Sequence, residues 1–329
     1  MISVISERTY SAKTLIETFP SIWHPKKQLI FDISDRAHKK YSGQLDFKRW
    51  QVHHLPRSTQ SATKIDISSR KNVYDYLPAN DDHHHMSEWH VNFSHPDLFA
   101  FYGSQLMAQD EIQVAEHPVL GSLREALIKD ASPSITHTVE KNMPTPITIT
   151  NVERRCVVQT DKNIDEGRPY NLYGSEFSRA DDSVISNAVT PLNPTTMTNL
   201  IAIAAPAYGS GTYTKSDIKY ILQTAYAGFA AAIHEANRLH EPQHHVRIHT
   251  GFWGCGAFGG NRLMMIMLQI FAMKLAGIHS GLFHTVDRSG TKIYQEAKTL
   301  IESHMDDPSD IFIDWIYSLQ LQWGKSDGN

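Results

Sequence analysis

The chain has 329 residues, 41% hydrophobic and 20% charged, with a formal net charge of −4. This is the composition of a soluble globular protein long enough for one large domain or two ordinary ones. It offers no broad basic field for nucleic acid or acidic membrane, and no window of roughly 18 apolar residues that could form a membrane helix.

Two cysteines, Cys156 and Cys255, are too few for a disulfide scaffold and too far apart for a zinc knuckle. They fit a reducing compartment such as the cytoplasm. The N-terminal MISVISERTYSAKTLIETF mixes charges into its first residues and has no continuous apolar core, so no cleavable signal peptide is expected.

From Lys27 to Lys71, short apolar runs (QLIFDIS, FKRWQVHHL) alternate with polar, Ser-rich pieces, predicting short strands and long connections. Residues 1–75 are expected to be a peripheral part packed on the same domain, with residues 76–329 as its core. PANDDHHHMSEW, Pro78 to Trp89, reads as a loop, and WHVNFS as a short strand. LFAFYGSQLMAQDEIQVAEHPVLGSLREALI is a glycine-interrupted segment running into a helix. PITITNVERRCVVQT is β-rich, and GRPYNLYGSEFSRADDS is a loop punctuated by aromatics.

The second half alternates plainly. NLIAIAAP is a buried strand, and SDIKYILQTAYAGFAAAIHEANRL a helix with Ser216 and Asp217 as N-cap candidates. HHVRIHT is a strand, RLMMIMLQIFAMKLAG an apolar helix ending at Gly277, and HSGLFHT a strand. TKIYQEAKTLIESHM and DIFIDWIYSLQLQWG are the closing helices. Strands separated by helices of crossover length predict an α/β fold with a mixed, largely parallel central sheet covered by helices on both faces. Ligands in such sheets bind outside the carboxyl ends of the strands.

HTGFWGCGAFGGNR, His249 to Arg262, lies at one such end. Its glycines allow positive φ and close backbone approach, and amides before a helix N-terminus attract anions. It is neither a Walker loop nor the dinucleotide fingerprint. A tight turn without ligand is the plain alternative. Phe252, Trp253 and Phe258 either pin the loop to the core or line a pocket for an apolar ring, Trp253 as pin and Phe258 as lining. Cys255 has no His or acid at a motif spacing and reads as a small buried residue.

These residues carry a resemblance. TGFWGCGAFGG, Thr250 to Gly260, resembles the ATGNWGCGAFGG segment of poly(ADP-ribose) glycohydrolases, a branch of the macrodomain fold. AYAGF, Ala225 to Phe229, is similar to the family's AYCGF. YNLYGSEF, Tyr170 to Phe177, echoes a loop whose second tyrosine stacks on adenine, here Tyr173. VNFSHPDLFAFYGSQLMAQDEI, Val91 to Ile112, has the spacing of VDFAN, Gly-Gly-Gly and Gln-Glu-Glu-Ile.

The resemblance implies ADP-ribose contacts at Asn92, Gln109, Tyr173, Phe252, Gly254, Cys255, Gly256, Ala257, Phe258 and Gly259. It places the catalytic glutamate at Glu111, with Asp110 beside it, and implies neither metal nor cofactor. The departures are Phe99, Ala100 and Phe101 for the three glycines, Asn92 for Asp, Asp110 for Glu and Phe252 for Asn. The two phenylalanines should obstruct or reshape the diphosphate loop. A divergent group of macrodomains, bacterial effectors among them, is similar to the glycohydrolases yet removes single ADP-ribose units from arginine of ubiquitin. This sequence resembles a member of that group, and for a delivered effector the implied location is a host cytosol.

The expected function is therefore hydrolysis of the glycosidic bond in mono-ADP-ribosylated protein by a monomer. An ADP-ribose reader without turnover, a poly(ADP-ribose) glycohydrolase and an enzyme on another nucleotide diphosphate are the alternatives. A carboxyl at the edge of a desolvated pocket has a raised pKa suited to protonating the leaving group or orienting water. The plain reading of Gln109-Asp110-Glu111 is a solvated acidic first turn of a helix. His83, His84, His85, His90 and His95 lack the spacing of a tetrahedral metal site, and His244, His245 and His249 read as packing or surface groups.

Overall fold

The computed structural model describes residues 2–38, 40–58, 65–78, 86–239 and 245–328. His83, His84, His85 and His244 fall outside the described residues, as does most of the loop expected before Trp89. The chain begins with β1 (Ile2–Ser11), α1 (Ala12–Thr18), α2 (Pro25–Ala37), β2 (Gln44–Val52), β3 (Asp66–Arg70) and β4 (Met86–Phe93). Next come α3 (Gln109–Glu116), α4 (Val119–Leu127), a small hairpin of β5 (Val139–Glu140) and β6 (Met143–Pro144), β7 (Ile147–Val158), α5 (Glu176–Arg179), α6 (Asp182–Ala188) and β8 (Val189–Ile203). The last third alternates α7 (Lys215–Leu239), β9 (His245–Thr250), α8 (Arg262–Ala276), β10 (Ser280–His284), α9 (Arg288–Ile301) and α10 (Ser309–Ser318).

Eight strands form one sheet in the order β1-β2-β7-β8-β4-β9-β10-β3. The pairs from β8 through β4, β9 and β10 to β3 are parallel, and those joining β1, β2, β7 and β8 are antiparallel. Period-two alternation divides the core across this sheet. Ile201 and Ile203 of β8 pack with α7, α8, α9 and α10 on one face, while Leu200 and Ala202 pack with α1 and α4 on the other. This is the α/β architecture that the alternating second half predicts.

Helix α8 is apolar all round because α7 and α9 both cover it, which is what such a composition requires in water. It starts at Asn261, whose side chain accepts from Met264 N, and ends at Gly277 with φ 76°. The cap of α7 is Thr214, two residues before Ser216, the first of the expected candidates. Thr214 Oγ1 accepts from Asp217 N at 3.1 Å and Asp217 Oδ2 accepts from Thr214 N at 2.9 Å, a reciprocal capping box.

QLIFDIS is not a strand but the middle of α2. Pro25 at its first turn and buried Lys27, Ile30 and Ser34 at helical spacing explain why a short apolar run reads either way. The first 75 residues supply β1, β2 and β3, and β1 and β3 are the two edge strands of the sheet.

Candidate active site

Three parallel neighbours, β8, β4 and β9, end together, and the chain beyond each of them lines one cleft of about 290 Å³. Phe93, Ser94 and His95 continue β4, Ala205 and Ala207 continue β8, and Trp253 and Gly254 follow β9. Glu111 and Asp110 of α3 face the same space, with Tyr173 and Phe258 as aromatic walls. This is the carboxyl end of the parallel strands, where an α/β sheet offers its loops to a ligand.

Gln109 is spent on building this corner. Its Oε1 accepts from Phe93 N at 2.8 Å and its Nε2 donates to Val91 O at 3.2 Å, so the amide continues the ladder of β4 and fixes the start of α3. Asp110 and Glu111 are thereby held at the floor of the cleft, 6% and 2% exposed. Asp110 Oδ1 accepts from Asn92 Nδ2 at 2.8 Å, and Glu111 Oε2 accepts from Ala108 N at 3.0 Å. Burial raises the pKa of both carboxyls. Asp110 is pushed up to about 8 because the charge of Glu111 adds to its desolvation.

The expected ligand contacts divide into two groups. Tyr173, Gly254, Gly256, Ala257 and Phe258 line the cleft together with the carboxyls and Gln109. Tyr173 is anchored by the backbone amide of Gln109, and burial raises its phenol to about 12. Asn92 is fully buried behind Asp110, so it positions the carboxyl rather than facing the cleft. Phe252 also stands outside: its ring packs on Gly290 and under the Arg262 guanidinium, 4.7 Å from its centroid. Cys255 and Gly259 lie behind the lining. The Cys255 thiol, raised by burial to about 12, is no nucleophile at neutral pH.

The glycine loop folds by its own turns. Cys255 N donates to Phe252 O at 3.0 Å, Gly259 N to Gly256 O at 3.0 Å and Gly260 N to Gly254 O at 2.8 Å. Among the described residues, the amides of Gly256, Ala257 and Phe258 make no hydrogen bond, which leaves donors at the cleft for an anionic ligand. Gly254 has φ 73°, and a Cβ there would collide with that of Ala205, so both its conformation and its neighbour require glycine. Trp253 is the pin it reads as, fully buried with Nε1 donating to Ile203 O at 3.0 Å, and its ring also reaches the cleft wall.

The two phenylalanines that replace glycines go opposite ways. Phe99 turns into the core with φ 55°, whereas Phe101 is 48% exposed at the cleft and meets the edge of His95, ring centroids 5.1 Å apart. The residues before α2 hold this loop: Ile22 N donates to the Tyr102 hydroxyl at 2.8 Å and His24 N to Gly103 O at 2.9 Å.

His90 is buried between Tyr76 and His249, centroids 4.6 and 4.2 Å away, and burial pushes its pKa well below the usual histidine value. No group of three metal-binding side chains occurs among the described residues. Nor is any described helix long and apolar enough to cross a membrane.

Sequence reasoning missed three groups around the cleft. His95 is part of its lining, Lys27 lies close enough for its charge to act on both carboxyls, and Asp327 of the C-terminal segment lies over Gly256. Asp327 N donates to Gly256 O at 3.4 Å, and a Cβ on Gly256 would lie 3.0 Å from Asp327 Oδ2. Only tertiary contact brings Lys27 and Asp327 here, whereas His95 follows β4 directly.

The sheet order and the cleft at its parallel centre define a mixed α/β fold with its candidate site at the carboxyl ends of the parallel strands. Residues 162–291, less than half of the chain, match the family model of "Poly (ADP-ribose) glycohydrolase (PARG), Macro domain fold", a family of glycosidic-bond hydrolases. No curated protein sequence matches the chain.

Solved structures similar to it include poly(ADP-ribose) glycohydrolase from Thermomonospora curvata, at 13% identity, 89% of this chain, 85% of that chain and TM-score 0.47. The same enzyme bound to the inhibitor ADP-HPD gives 14% identity, 88% and 84% coverage and TM-score 0.46. Poly(ADP-ribose) glycohydrolase from Deinococcus radiodurans in complex with ADP-ribose gives 10% identity, 91% and 95% coverage and TM-score 0.41.

Proposed function

We propose that this protein binds ADP-ribose in the cleft and hydrolyses the glycosidic bond joining ADP-ribose to a protein side chain. Arginine is the acceptor by resemblance, with ubiquitin as one carrier, and the protein acts as a monomer in the cytoplasm or in a host cytosol. The observation that carries the reading is the adjacent buried carboxyl pair, Asp110 and Glu111, facing the free amides of the Gly256 to Phe258 loop. An acid pair on one side and anion donors on the other suit a sugar tethered to a diphosphate.

Burial, and after it the charge of Glu111, raises the Asp110 carboxyl to about 8, so in this reading the pair carries one proton at neutral pH. The protonated carboxyl gives its proton to the departing nitrogen or oxygen as the bond to the anomeric carbon breaks. Water then adds to that carbon and passes its proton to the ionised carboxyl, restoring the pair. Glu111 is assigned to the anomeric carbon, and Asp110 completes the pair. Tyr173 and Phe258 offer ring faces to adenine, and the loop amides bind the diphosphate. The N-terminal 75 residues belong to the same functional unit in this reading, because the loop before α2 bonds the Phe101 loop: Ile22 N donates to the Tyr102 hydroxyl and His24 N to Gly103 O.

Phe101 and Asp327 favour one second reading, a binder without turnover, since both narrow the ligand's access. Incubation with arginine-ADP-ribosylated protein separates the two. Wild type is expected to release ADP-ribose, and Glu111→Gln to release it about 10²–10⁴-fold more slowly while binding ADP-ribose in calorimetry. Binding without release by either protein would establish the reader, and no binding at millimolar ADP-ribose would end both readings.

A further inference from the structure

Tyr208, five residues beyond the end of β8, lines the cleft and is 73% exposed, more than any other large hydrophobic side chain among the described residues. Its backbone lies in the left-handed region at φ 61°, which a bulky residue rarely adopts and which costs stability. Glycine is the residue that suits this conformation. A ring left in water adds little to the core, so packing does not explain why an aromatic side chain stands at a glycine-type position beside the candidate site.

The ring is nevertheless held in place. Tyr208 N donates to Phe258 O at 3.3 Å, and the two rings meet edge to face, with centroids 6.0 Å apart and planes at 62°. Trp253 Nε1 donates to Ile203 O, and Gly254 closes on Ala205, so the chain leaving β8 is tied to the glycine loop at three points. Strand β4 lies between β8 and β9 in the sheet, and the tie therefore spans its exit. On the far side of Tyr208, Gly209 packs against the Trp323 ring, which stacks on Tyr213.

We infer that Tyr208 is a specificity-determining residue of the cleft: with Phe258 it forms an aromatic corner that holds the base of a nucleotide ligand. This rests on the reading of the cleft as an ADP-ribose site and extends it to a residue outside the segments that carry the resemblance. Rings at 62° do not both lie flat on one planar group, so a base stacked on one of them takes the edge of the other. The base is the part of ADP-ribose with an extended apolar face, whereas its riboses and diphosphate present hydroxyls and charge. Because every base has such a face, the corner selects a nucleotide over a sugar phosphate rather than one base over another.

The test is calorimetric binding of ADP-ribose, and of ribose 5-phosphate as a ligand without a base, to wild type, Tyr208→Ala and Tyr208→Phe. Tyr208→Ala should bind ADP-ribose about 5- to 10-fold more weakly, the low end for base–aromatic stacking because the ring is exposed, and Tyr208→Phe should stay within about twofold of wild type. Ribose 5-phosphate should not distinguish the three proteins. Equal ADP-ribose affinity in wild type and Tyr208→Ala, or an equal loss for the ligand without a base, overturns the inference and leaves the ADP-ribose reading standing. A wild type that binds no ADP-ribose at millimolar concentration removes that reading and the inference with it, so the two failures are distinguishable.

Tyr208→Gly separates a ligand contact from a structural role. Glycine adopts φ 61° without strain, so this variant should melt at or above the wild-type temperature while losing as much affinity for ADP-ribose as Tyr208→Ala. A Tyr208→Gly protein that melts several degrees lower would show that the ring holds the loop together, which also overturns the inference.

Discussion

Asn92 Nδ2 on β4 donates to Asp110 Oδ1 at 2.8 Å and to Gln113 Oε1 at 2.9 Å, so one strand residue holds two side chains of α3. The contact is fully buried, and α3 cannot turn without breaking it. Asn92→Ala should lower the free energy of unfolding by about 1–3 kcal/mol, because two buried acceptors lose their donor. The Asp110 carboxyl should titrate higher still, since the Asn92 donor is one of the influences holding it down. Urea unfolding and the carboxyl titration check this, and wild-type stability in the variant would remove Asn92 from its positioning role.

Asp110 should also make stability fall with rising pH. Its carboxyl is raised from 3.8 to about 8 in the folded protein, so between those values the folded chain keeps a proton that the unfolded chain releases. The protonated state's contribution is complete at low pH and is lost as pH rises towards 8. Asp110→Asn removes this dependence and still accepts from Asn92. Near pH 8 it should be more stable than wild type by about 1–3 kcal/mol, with the gain shrinking towards pH 4. Thermal melts across that range test it, and a constant difference at all pH values would contradict the raised carboxyl.

How much of this site the sequence reveals follows from how local each part is. The glycine loop and the Gln109-Asp110-Glu111 turn are continuous segments, and their chemistry can be read from neighbours in the chain. Phe252 and Asn92 are misplaced because a motif gives the order of residues but not which way a side chain points after the turn. Lys27 looks like one more charge on an amphipathic helix, and QLIFDIS reads equally well as a strand. The first part of β8 is hidden by Pro191 and Pro194, which argue against a strand on their own.

Phe99 and Phe101 should behave as a core residue and a gate. Phe99 is fully buried among the residues beneath α4, so Phe99→Ala is expected to cost about 3–5 kcal/mol of stability. Phe101→Ala, at a 48% exposed position, should change stability by no more than about 0.5 kcal/mol. It removes the ring that meets His95 at the cleft, so release from poly(ADP-ribose) should rise severalfold relative to release from mono-ADP-ribosylated protein. An unchanged substrate ratio would mean that the ring does not control access.

Asp327 should weaken binding of an anion at the glycine loop. Two anchors bring its segment there: Trp323 stacks on Tyr213 at 4.2 Å between ring centroids, and Asn261 Nδ2 donates to Gln322 O at 3.0 Å. Beyond Trp323 the backbone passes Gly259 and places the Asp327 carboxylate over Gly256, beside amides proposed to bind a diphosphate. Like charges at that separation repel, and salt screens the repulsion. Asp327→Asn, which keeps the size of the side chain, should therefore bind ADP-ribose severalfold more tightly at low ionic strength, with the gain fading as salt is added. Calorimetry at two salt concentrations measures both effects. Equal affinities at low salt would show that the segment yields to the ligand without opposing it.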